Sequence, residues 1–243
     1  MKTIVITGAT SGIGLACVKK FIKDDCLIVG TGRSIMRLNY INKIVSKTKK
    51  SKFIGIKCNF FNPKELNNLI NKLKKLKKID TLINSAGLSA KTKVERINLN
   101  EWNNLMYVNV TIPFLMSKKL IKNLTKSKNA SIINISSIAG RLRSISLGCH
   151  YTTSKSALIG MTRHLAMELS MYKIRVNCVA PSQTLTPMLK KSLTEMGKKK
   201  LVEKIPLKRL STADEQAEVI YFLASKNSSY VNGAIFDVNG GQL

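Results

Sequence analysis

A tyrosine and a lysine four residues apart, Tyr151 and Lys155, are the side chains best suited to proton transfer in this sequence. The spacing i, i+4 places both on one face of a helix. A free phenol has a pKa of about 10, but a neighbouring ammonium favours the phenolate and lowers that pKa. Ser137 ends an earlier strand-like run, and its hydroxyl could hold a substrate carbonyl oxygen while Tyr151 donates the proton.

A glycine-rich turn near the start of the chain suits the binding of a dinucleotide pyrophosphate. The run Thr7-Gly8-Ala9-Thr10-Ser11-Gly12-Ile13-Gly14 follows a β-branched segment and opens a helical one. Glycines let the backbone turn tightly and approach a phosphate, while the helix N-terminus supplies free N–H donors. A purely structural turn is the alternative, but the strand-turn-helix context favours dinucleotide binding.

The end of the second predicted strand distinguishes the two nicotinamide cofactors. An acidic residue there would hold the ribose 2′-hydroxyl of NAD, and the run Gly30-Thr31-Gly32-Arg33-Ser34 contains no acid. Arg33 can pair with a 2′-phosphate and stack on adenine. We therefore expect NADP (as NADPH), with a surface arginine in a lysine-rich chain as the alternative.

Strand-length apolar runs alternate with helix-period segments from one end of the chain to the other. Strands are predicted at residues 4–7, 26–31, 53–57, 79–84, 131–136, 174–180 and 234–238. Helices are predicted at residues 12–23, 63–76, 100–124 (with Asn100 as the cap), 151–172, 188–195 and 213–224. This alternation predicts an α/β fold with a doubly wound parallel sheet of the Rossmann type. We expect a single domain over residues 1–243, with a lid segment near 181–210.

The composition excludes several classes of protein. Apolar residues make up 44% of 243 residues, which is enough for a core and argues against wholesale disorder. No apolar run approaches the roughly 18 residues of a membrane-spanning helix, and the first residues are too few for a signal peptide. We expect a cytoplasmic protein without membrane insertion. The five cysteines form no CxxC pair, and together with only two histidines they indicate neither a disulfide framework nor a metal site.

The positive charge is large, with 41 Lys+Arg against 13 Asp+Glu and a net charge of +28. Such a balance is typical of nucleic-acid binders. However, 33 of the 41 basic residues are lysine, whereas base and phosphate recognition relies on arginine. The lysine runs also lie at amphipathic helix positions, as in residues 69–78. We therefore expect no nucleic-acid partner and keep an anionic-surface binder as an alternative supported by charge alone.

Several motifs, in the right order, make the whole chain resemble the short-chain dehydrogenase/reductase family. Besides the glycine turn and the Ser-Tyr-Lys set, the matching segments are Asn84-Ser85-Ala86-Gly87, Tyr107-Val108-Asn109-Val110, Ala180-Pro181-Ser182 to Thr186, and Val238-Asn239-Gly240-Gly241. The resemblance implies the catalytic residues Asn109, Ser137, Tyr151 and Lys155. It implies cofactor contacts from Gly8, Thr10, Ser11, Gly12, Ile13, Gly14, Arg33, Asn59, Asn84, Ala86, Gly87, Tyr151, Lys155, Pro181, Thr184 and Thr186.

The same resemblance implies a mechanism without a metal. NADPH delivers hydride to a carbonyl carbon, Tyr151 protonates the oxygen, and Ser137 polarises and orients it. Lys155 binds the nicotinamide ribose and lowers the pKa of Tyr151, and Asn109 holds a water that links Lys155 to solvent. His150, beside the tyrosine, is expected to be a variable residue of the pocket wall.

Departures from the family pattern concern the substrate more than the catalytic groups. Ser85, Ser182 and Asn59 replace the usual asparagine, glycine and aspartate, and the Ser137–Tyr151 gap is one residue longer than usual. Residues 205–210, 213–215, 222–225 and 231–233 resemble the 3-oxoacyl-acyl-carrier-protein reductases, which implies fatty acid biosynthesis and a carrier-bound acyl substrate. Lys128 matches one carrier-docking cation of that group, but Tyr172 stands where the other, an arginine, is usual. A dehydrogenase or reductase of a sugar, sugar nucleotide or small alcohol stays open, as does a non-catalytic dinucleotide-binding regulator.

Two long predicted helices, near residues 101–124 and 151–172, are apolar on more than one face. A helix whose apolar residues extend beyond one face must pack against a second element or subunit besides the sheet. Because family members usually pair through these helices, we expect a homodimer or homotetramer with two-fold symmetry. The alternative is that both helices are buried inside one subunit.

Overall fold

A sheet of seven parallel strands organises the chain in the computed structural model, which describes residues 1–48, 50–190 and 194–242. The strands are β1 (Lys2–Thr7), β2 (Cys26–Gly32), β3 (Lys52–Lys57), β4 (Thr81–Asn84), β5 (Ala130–Ile135), β6 (Ile174–Pro181) and β9 (Ile235–Val238). Their order is β3-β2-β1-β4-β5-β6-β9, so the chain winds outward in one direction from β1 to β3 and in the other from β4 to β9. The predicted doubly wound Rossmann-type fold is confirmed.

Helices cover both faces of this sheet. They are α1 (Gly12–Phe21), α2 (Ile35–Ser46), α3 (Pro63–Lys74), α4 (Leu99–Met106), α5 (Ile112–Leu124), α6 (Ile138–Arg141), α7 (Cys149–Glu168), α8 (Pro187–Lys190), α9 (Glu195–Glu203) and α10 (Ala213–Leu223). Two short strands, β7 (Thr184–Leu185) and β8 (Ser211–Thr212), pair beside the main sheet. No helix in the described ranges has the length and apolar character needed to cross a bilayer.

The core consists of two apolar layers, one on each face of the sheet. Consecutive residues of β1 alternate between them, because successive side chains of a strand point to opposite faces. Ile4 and Ile6 pack with residues of α1, α2 and α10, whereas Val5 packs with residues of α3, α5 and α7. Strands β4, β5 and β6 are buried along their whole length, as expected of central strands covered on both sides.

Helix α2 was not predicted from the sequence. Its buried residues Leu38, Ile41 and Val45 have helical spacing, but exposed Met36 precedes them and exposed Tyr40 lies between Leu38 and Ile41, which obscures the stripe in the sequence. Ser34, directly after Arg33, caps this helix by accepting a hydrogen bond from Arg37 N at 3.3 Å. The cap fixes the backbone next to Arg33.

The long helix predicted from residue 100 to 124 is wrong in two respects. Its N-cap is Asn98 and not Asn100, since Asn98 Oδ1 accepts from Glu101 N at 2.8 Å. The helix is also interrupted by a π-helical segment, Tyr107–Thr111, between α4 and α5. Pro113 has no N–H to donate to the carbonyl four residues earlier, which belongs to Asn109, so the regular ladder cannot continue there.

The helix predicted over residues 188–195 is also wrong in its bounds. The structure has α8 at Pro187–Lys190 and a separate α9 at Glu195–Glu203, with Thr194 capping α9 by accepting from Gly197 N at 3.1 Å. Residues 191–193 of the prediction lie outside the described residues. This region falls within the segment that was predicted to be a lid.

Candidate active site

A cavity of about 1070 Å³ opens at the carboxyl ends of the parallel strands. Residues directly after β1, β2, β3, β4, β5 and β6 all contribute to its wall, which is where ligands bind in open α/β sheets. Most predicted site residues line it: Gly8, Thr10, Ser11, Gly12, Ile13, Arg33, Asn59, Ala86, Gly87, Ser137, Tyr151, Lys155, Pro181, Thr184 and Thr186. Gly14, Asn84 and Asn109, also predicted, are placed behind the wall.

The glycine turn between β1 and α1 forms part of the cavity wall. Gly8 and Gly12 have φ angles of 69° and 52°, in the left-handed region that favours glycine. A Cβ on Gly8 would lie 2.9 Å from Ala86 Cα, so only glycine lets the turn pack against the end of β4. Ser11, the N-cap of α1, makes no side-chain cap hydrogen bond, and the first turn of α1 contains no acid. The first N–H groups of α1 are therefore suited to an anion.

Gly14, in the first turn of α1, lets this helix pack closely against the backbone of the glycine turn. A Cβ at this position would lie 2.3 Å from the carbonyl oxygen of Gly8. Gly14→Ala is expected to force α1 away from the turn, to destabilise the fold by about 1–3 kcal/mol and to weaken dinucleotide binding. Urea unfolding and a cofactor titration measure the two effects.

Gly160→Ala is the matched control, because a Cβ at Gly160 in α7 meets nothing within 4 Å. It is expected to stabilise the chain by about 0.5–1 kcal/mol through helix propensity and to leave cofactor affinity unchanged. Equal behaviour of the two variants would contradict the packing role of Gly14.

The electrostatic character of the cavity is positive. Arg33, Lys91, Arg143, Lys155 and Lys204 line it, and none of its described lining residues is an aspartate or glutamate. Arg33 is exposed at the end of β2 and makes no hydrogen bond or ion pair with another described residue. A guanidinium in that position, with no competing carboxylate in the wall, suits a ligand that carries phosphate groups.

Asn59 and Asn84 hold the backbone around the cavity in different ways. Asn59 Oδ1 accepts from Phe61 N at 3.2 Å in the loop after β3, and the residue also lines the cavity. Asn84 is buried, and its Nδ2 donates to Asn134 Oδ1 at 2.8 Å, which ties β4 to β5. Asn134 in turn donates to Thr162 Oγ1 of α7 at 2.9 Å. The structure thus places Asn84 in a sheet-to-helix network behind the cavity wall, and its predicted cofactor contact stays a prediction.

The three members of the Ser-Tyr-Lys set line the same cavity. Tyr151 lies in the first turn of α7, and Lys155 follows one turn later with its Nζ 5.8 Å from the centre of the tyrosine ring. Ser137 is the N-cap of α6, where its Oγ accepts from Ala139 N at 3.1 Å. Since that oxygen accepts from the backbone, its own O–H remains able to donate to a substrate oxygen or to the phenol.

Burial governs the ionisation of the tyrosine and the lysine. It raises the pKa of Tyr151 above its usual value, against a smaller opposing effect of a hydrogen bond with Ser137. It lowers the pKa of Lys155 to about 8. The expected lowering of the tyrosine pKa by Lys155 is not seen, because the ammonium donates to the carbonyl oxygen of Ile135 at 2.8 Å and burial dominates. A raised pKa keeps Tyr151 protonated, which is the form that can donate a proton.

Asn109 lies in the middle of the π-helical segment, just outside the cavity wall. Its Oδ1 accepts from Leu88 N at 2.7 Å, and its Nδ2 donates to Leu88 O and to Ser154 Oγ, both at 3.0 Å. A Cβ on Gly87 would lie 3.4 Å from Asn109 Oδ1 and 3.6 Å from Lys155 Nζ. The asparagine and the lysine therefore flank the same small space beside Gly87. The predicted bound water at Asn109 stays a prediction.

His150 does not belong to the pocket wall, so that expectation is wrong. The side chain is fully buried and is absent from the described lining of the cavity. Its Nε2 lies 3.1 Å from Glu101 Oε1 of α4, which also accepts from Thr92 Oγ1 at 2.6 Å. These bonds with Thr92 and His150 hold the pKa of Glu101 below its usual value. His150 thus ties the start of α7 to α4.

The sequence analysis did not single out several residues of the cavity wall. Arg143 lies in the segment between Ser137 and Tyr151, whose unusual length was the one available signal. Gln183 and Lys204 line the cavity from the region predicted as a lid, and Gln242 does so from the end of the chain. No motif marks these positions, because their place in the wall depends on how the lid region and the C-terminus fold back over the strand ends.

Known proteins are similar to this chain in both sequence and architecture. A family model described as enoyl-(acyl carrier protein) reductase matches residues 8–242. The chain is 34% identical to the 3-oxoacyl-[acyl-carrier-protein] reductase FabG of Buchnera aphidicola, over 99% of this chain and 96% of that protein.

Two solved structures of 3-oxoacyl-[acyl-carrier protein] reductase from Brucella melitensis are similar to the fold, each at 31% identity over 100% of this chain and 91% of that chain. One has a TM-score of 0.92, and the other, with bound NAD, a TM-score of 0.89. The chain therefore belongs to the short-chain dehydrogenase/reductase family and is an oxidoreductase that interconverts CH–OH and carbonyl groups with a nicotinamide cofactor.

Proposed function

We propose that the chain reduces the ketone of a 3-oxoacyl thioester to a hydroxyl, with NADPH as the cofactor. The observation that carries this proposal is the presence of Ser137, Tyr151 and Lys155 in one cavity with the glycine turn and Arg33. The described wall contains no carboxylate, which suits a phosphate-bearing cofactor. The named relatives support the thioester as substrate, since those proteins are 3-oxoacyl-[acyl-carrier-protein] reductases.

In this proposal each side chain of the site has one role. The bound nicotinamide supplies a hydride to the carbonyl carbon. Ser137 donates a hydrogen bond to the carbonyl oxygen and holds it beside Tyr151, whose phenol gives that oxygen its proton. Lys155 holds the ribose of the cofactor with its ammonium. Asn109, fixed by Leu88 and Ser154, holds a water beside Lys155 through which the proton lost by the phenol is replaced from solvent.

A panel of substrates tests this assignment. The purified chain and NADPH are mixed with a 3-oxobutanoyl thioester, the matching crotonyl thioester, a keto sugar and a small ketone, and the loss of NADPH absorbance is followed. We expect the highest kcat/KM on the 3-oxobutanoyl thioester. A higher kcat/KM on the crotonyl thioester would instead support an enoyl reductase, the activity in the description of the matching family model. A preference for the sugar or the ketone would remove the acyl substrate from the proposal.

Arg33 is proposed to select NADPH over NADH. Arg33→Ala removes the charged partner of the 2′-phosphate, and charged hydrogen bonds contribute about 1.5–3 kcal/mol. We expect the NADPH dissociation constant to rise by roughly ten- to a hundredfold while that of NADH changes little. Fluorescence titration of both cofactors measures this. An unchanged ratio of the two dissociation constants would refute the role of Arg33.

The proposal extends to a carrier protein as the source of the acyl group and to the cytoplasm as its location. Acyl carrier proteins are acidic, and a chain with a net charge of +28 would steer them electrostatically. Lys128 is exposed and could take part in docking, whereas Tyr172 supplies no charge. We therefore propose a docking surface that uses one of the two cations implied by the resemblance, Lys128, and relies mainly on the overall positive charge.

We further propose a two-fold symmetric homodimer or homotetramer. Most apolar residues that motivated this expectation are buried within the subunit, among them Leu105, Ile112 and Leu158. The support comes from apolar side chains that stay exposed on α5, on α7 and just after α7, namely Phe114, Met167 and Met171. Light scattering at micromolar concentration should give at least twice the mass of one chain, and a stable monomer would count against this assembly.

A further inference from the structure

Two segments of the cavity wall meet at the start of α7, the helix that carries the tyrosine of the site. One segment follows β4 (residues 85–91) and the other precedes α7 (residues 142–147), and both line the cavity. Gly148 N, at the junction, donates to Ala90 O at 2.9 Å. A Cβ on Gly148 would lie 2.4 Å from Thr92 O, so the two backbones touch here with no space for a side chain.

The buried side chain of His150 lies at this junction. Its Nε2 is 3.1 Å from Glu101 Oε1, and the same carboxylate oxygen accepts from Thr92 Oγ1 at 2.6 Å. Because an ionised carboxylate only accepts hydrogen bonds, the bond with His150 requires a proton on Nε2. The other ring nitrogen, Nδ1, is buried and has no partner among the described residues. In the part of the chain that the structure describes, Glu101 is therefore the one hydrogen-bonding anchor of the ring.

The same junction fixes the backbone of Tyr151. Tyr151 N donates to Gly148 O at 3.1 Å, within the first turn of α7. Ser144 N, in the segment that precedes the helix, donates to Thr152 Oγ1 at 3.1 Å. A displacement at the bond between histidine and glutamate would therefore move the backbone that carries the phenol.

We propose that His150 is a positioning residue, which holds the two wall segments together through Glu101 and Thr92 and keeps the phenol of Tyr151 within reach of the substrate oxygen. A general acid must lie within hydrogen-bond distance of the atom that it protonates, and a misplacement of about 1 Å can cost roughly 100-fold in rate. The inference rests on the proposed role of Tyr151 as proton donor. His150 is buried and absent from the described lining of the cavity, so it acts through the tyrosine and not on the substrate.

Two replacements of His150 test the role of its hydrogen bond. His150→Leu removes both ring nitrogens and keeps an apolar side chain, whereas His150→Gln keeps an N–H that can donate to Glu101. The kcat is measured with saturating NADPH on the compound of the substrate panel that the wild type reduces with the highest kcat/KM. We expect His150→Leu to lower kcat by about ten- to a hundredfold and His150→Gln to recover most of that loss. The NADPH dissociation constant should match the wild type in both, since the glycine turn and Arg33 are unchanged.

His164→Leu and His164→Gln are the matched controls on the same helix. His164 also lies near a glutamate, with its Nε2 3.7 Å from Glu168 Oε2, but both side chains are exposed. Exposed ion pairs contribute little to stability, and neither residue belongs to the described lining of the cavity. We expect kcat and Tm to stay as in the wild type. A loss of kcat equal to that of His150→Leu would show that the effect is not specific to the junction.

Glu101→Met supplies a second variant in case His150→Leu does not fold, and it also completes a double-mutant cycle. It keeps the length of Glu101 and removes the oxygen that joins Thr92 to His150. We expect the same loss of kcat as in His150→Leu, with no further loss when the two substitutions are combined, because both break one connection. Losses that multiply in the double variant would mean that the two residues act separately, which would overturn the proposal.

A purely structural role of His150 would give a different pattern. His150→Leu would then lower Tm and leave kcat, measured well below that Tm, as in the wild type. If His150→Gln were as impaired as His150→Leu, the bond to Glu101 would not be the cause of the loss. Either result would overturn the positioning role.

Combining His150→Leu with Tyr151→Phe separates this inference from the proposed function. If the histidine acts through the phenol, the rate that remains in Tyr151→Phe should not fall further in the double variant. A further fall by the same factor as in His150→Leu alone would reject the positioning role and keep the tyrosine as proton donor. Near-wild-type turnover of Tyr151→Phe would reject the donor itself and, with it, the role of His150.

Discussion

Tyr151→Phe is expected to lower turnover by about 10²–10⁴-fold, which is the usual contribution of a general acid. The substitution removes one hydroxyl and keeps the ring, so the fold and the affinity for NADPH should remain close to those of the wild type. Steady-state kinetics on the best substrate of the panel measures the loss. Unfolding and cofactor titrations show that the variant is otherwise intact.

Ser137→Ala gives a comparison that separates roles within the site. It should lower kcat while NADPH affinity stays almost unchanged, because Ser137 is assigned to the substrate oxygen. Since Ser137 also caps α6 through Ala139 N, a small loss of stability is expected as well.

Near-wild-type turnover of Tyr151→Phe would reject the whole assignment. His150 could not then serve as the donor from its observed position, because it is buried away from the cavity against Glu101.

Lys155→Met is expected to remove activity and yet to stabilise the cofactor-free protein. Burial lowers the pKa of this lysine from 10.5 to about 8, so the folded state holds a charge in an unfavourable environment. A shift of that size corresponds to about 3 kcal/mol, and the lost hydrogen bond to Ile135 O offsets about 1 kcal/mol of it. We expect a net gain of about 1–2 kcal/mol near pH 7, together with weaker NADPH binding.

The pH dependence of stability identifies the cause of that gain. Between about pH 8 and 10.5 the unfolded wild type binds more protons at this lysine than the folded protein does, so the contribution of Lys155 to unfolding free energy rises with pH. The variant lacks this contribution, and its advantage should shrink across that window. Urea unfolding of both proteins at several pH values tests this, since the other titrating groups cancel in the difference. A destabilised variant with a pH-independent difference would contradict the burial cost assigned to Lys155.

The sheet could be predicted from the sequence because its strands are continuous apolar runs between helical segments. The position of the cavity followed from the same pattern, since residues after parallel strands meet at one edge. Gly8 lies directly after β1, Ser137 lies two residues after the end of β5, and Pro181 is the last residue of β6. Their placement therefore needed no knowledge of side-chain packing.

The features that could not be predicted from the sequence depend on tertiary packing and on competition between neighbouring residues for the same structural role. Asn98 and Asn100 are both acceptable caps, and only the hydrogen bond to Glu101 N distinguishes them. The helix is interrupted by a π-helical segment around Asn109 because Pro113 has no N–H to donate. The buried stripe of α2 is obscured in the sequence by exposed apolar residues of the same helix. The burial of His150 and the direction of the Lys155 ammonium toward Ile135 O depend on tertiary contacts that no spacing rule reveals.

The transfer of deuterium from NADPH labelled at the nicotinamide tests the central claim most directly. The cofactor, with deuterium at both C4 hydrogens, is incubated with the wild-type chain and an equimolar mixture of a 3-oxobutanoyl and a crotonyl thioester, and the products are analysed by mass spectrometry and NMR. The account predicts a 3-hydroxy thioester that carries deuterium on the former ketone carbon, with almost none formed by Tyr151→Phe. Deuterium on a former alkene carbon of a crotonyl thioester, with no label transferred to the ketone, would contradict it.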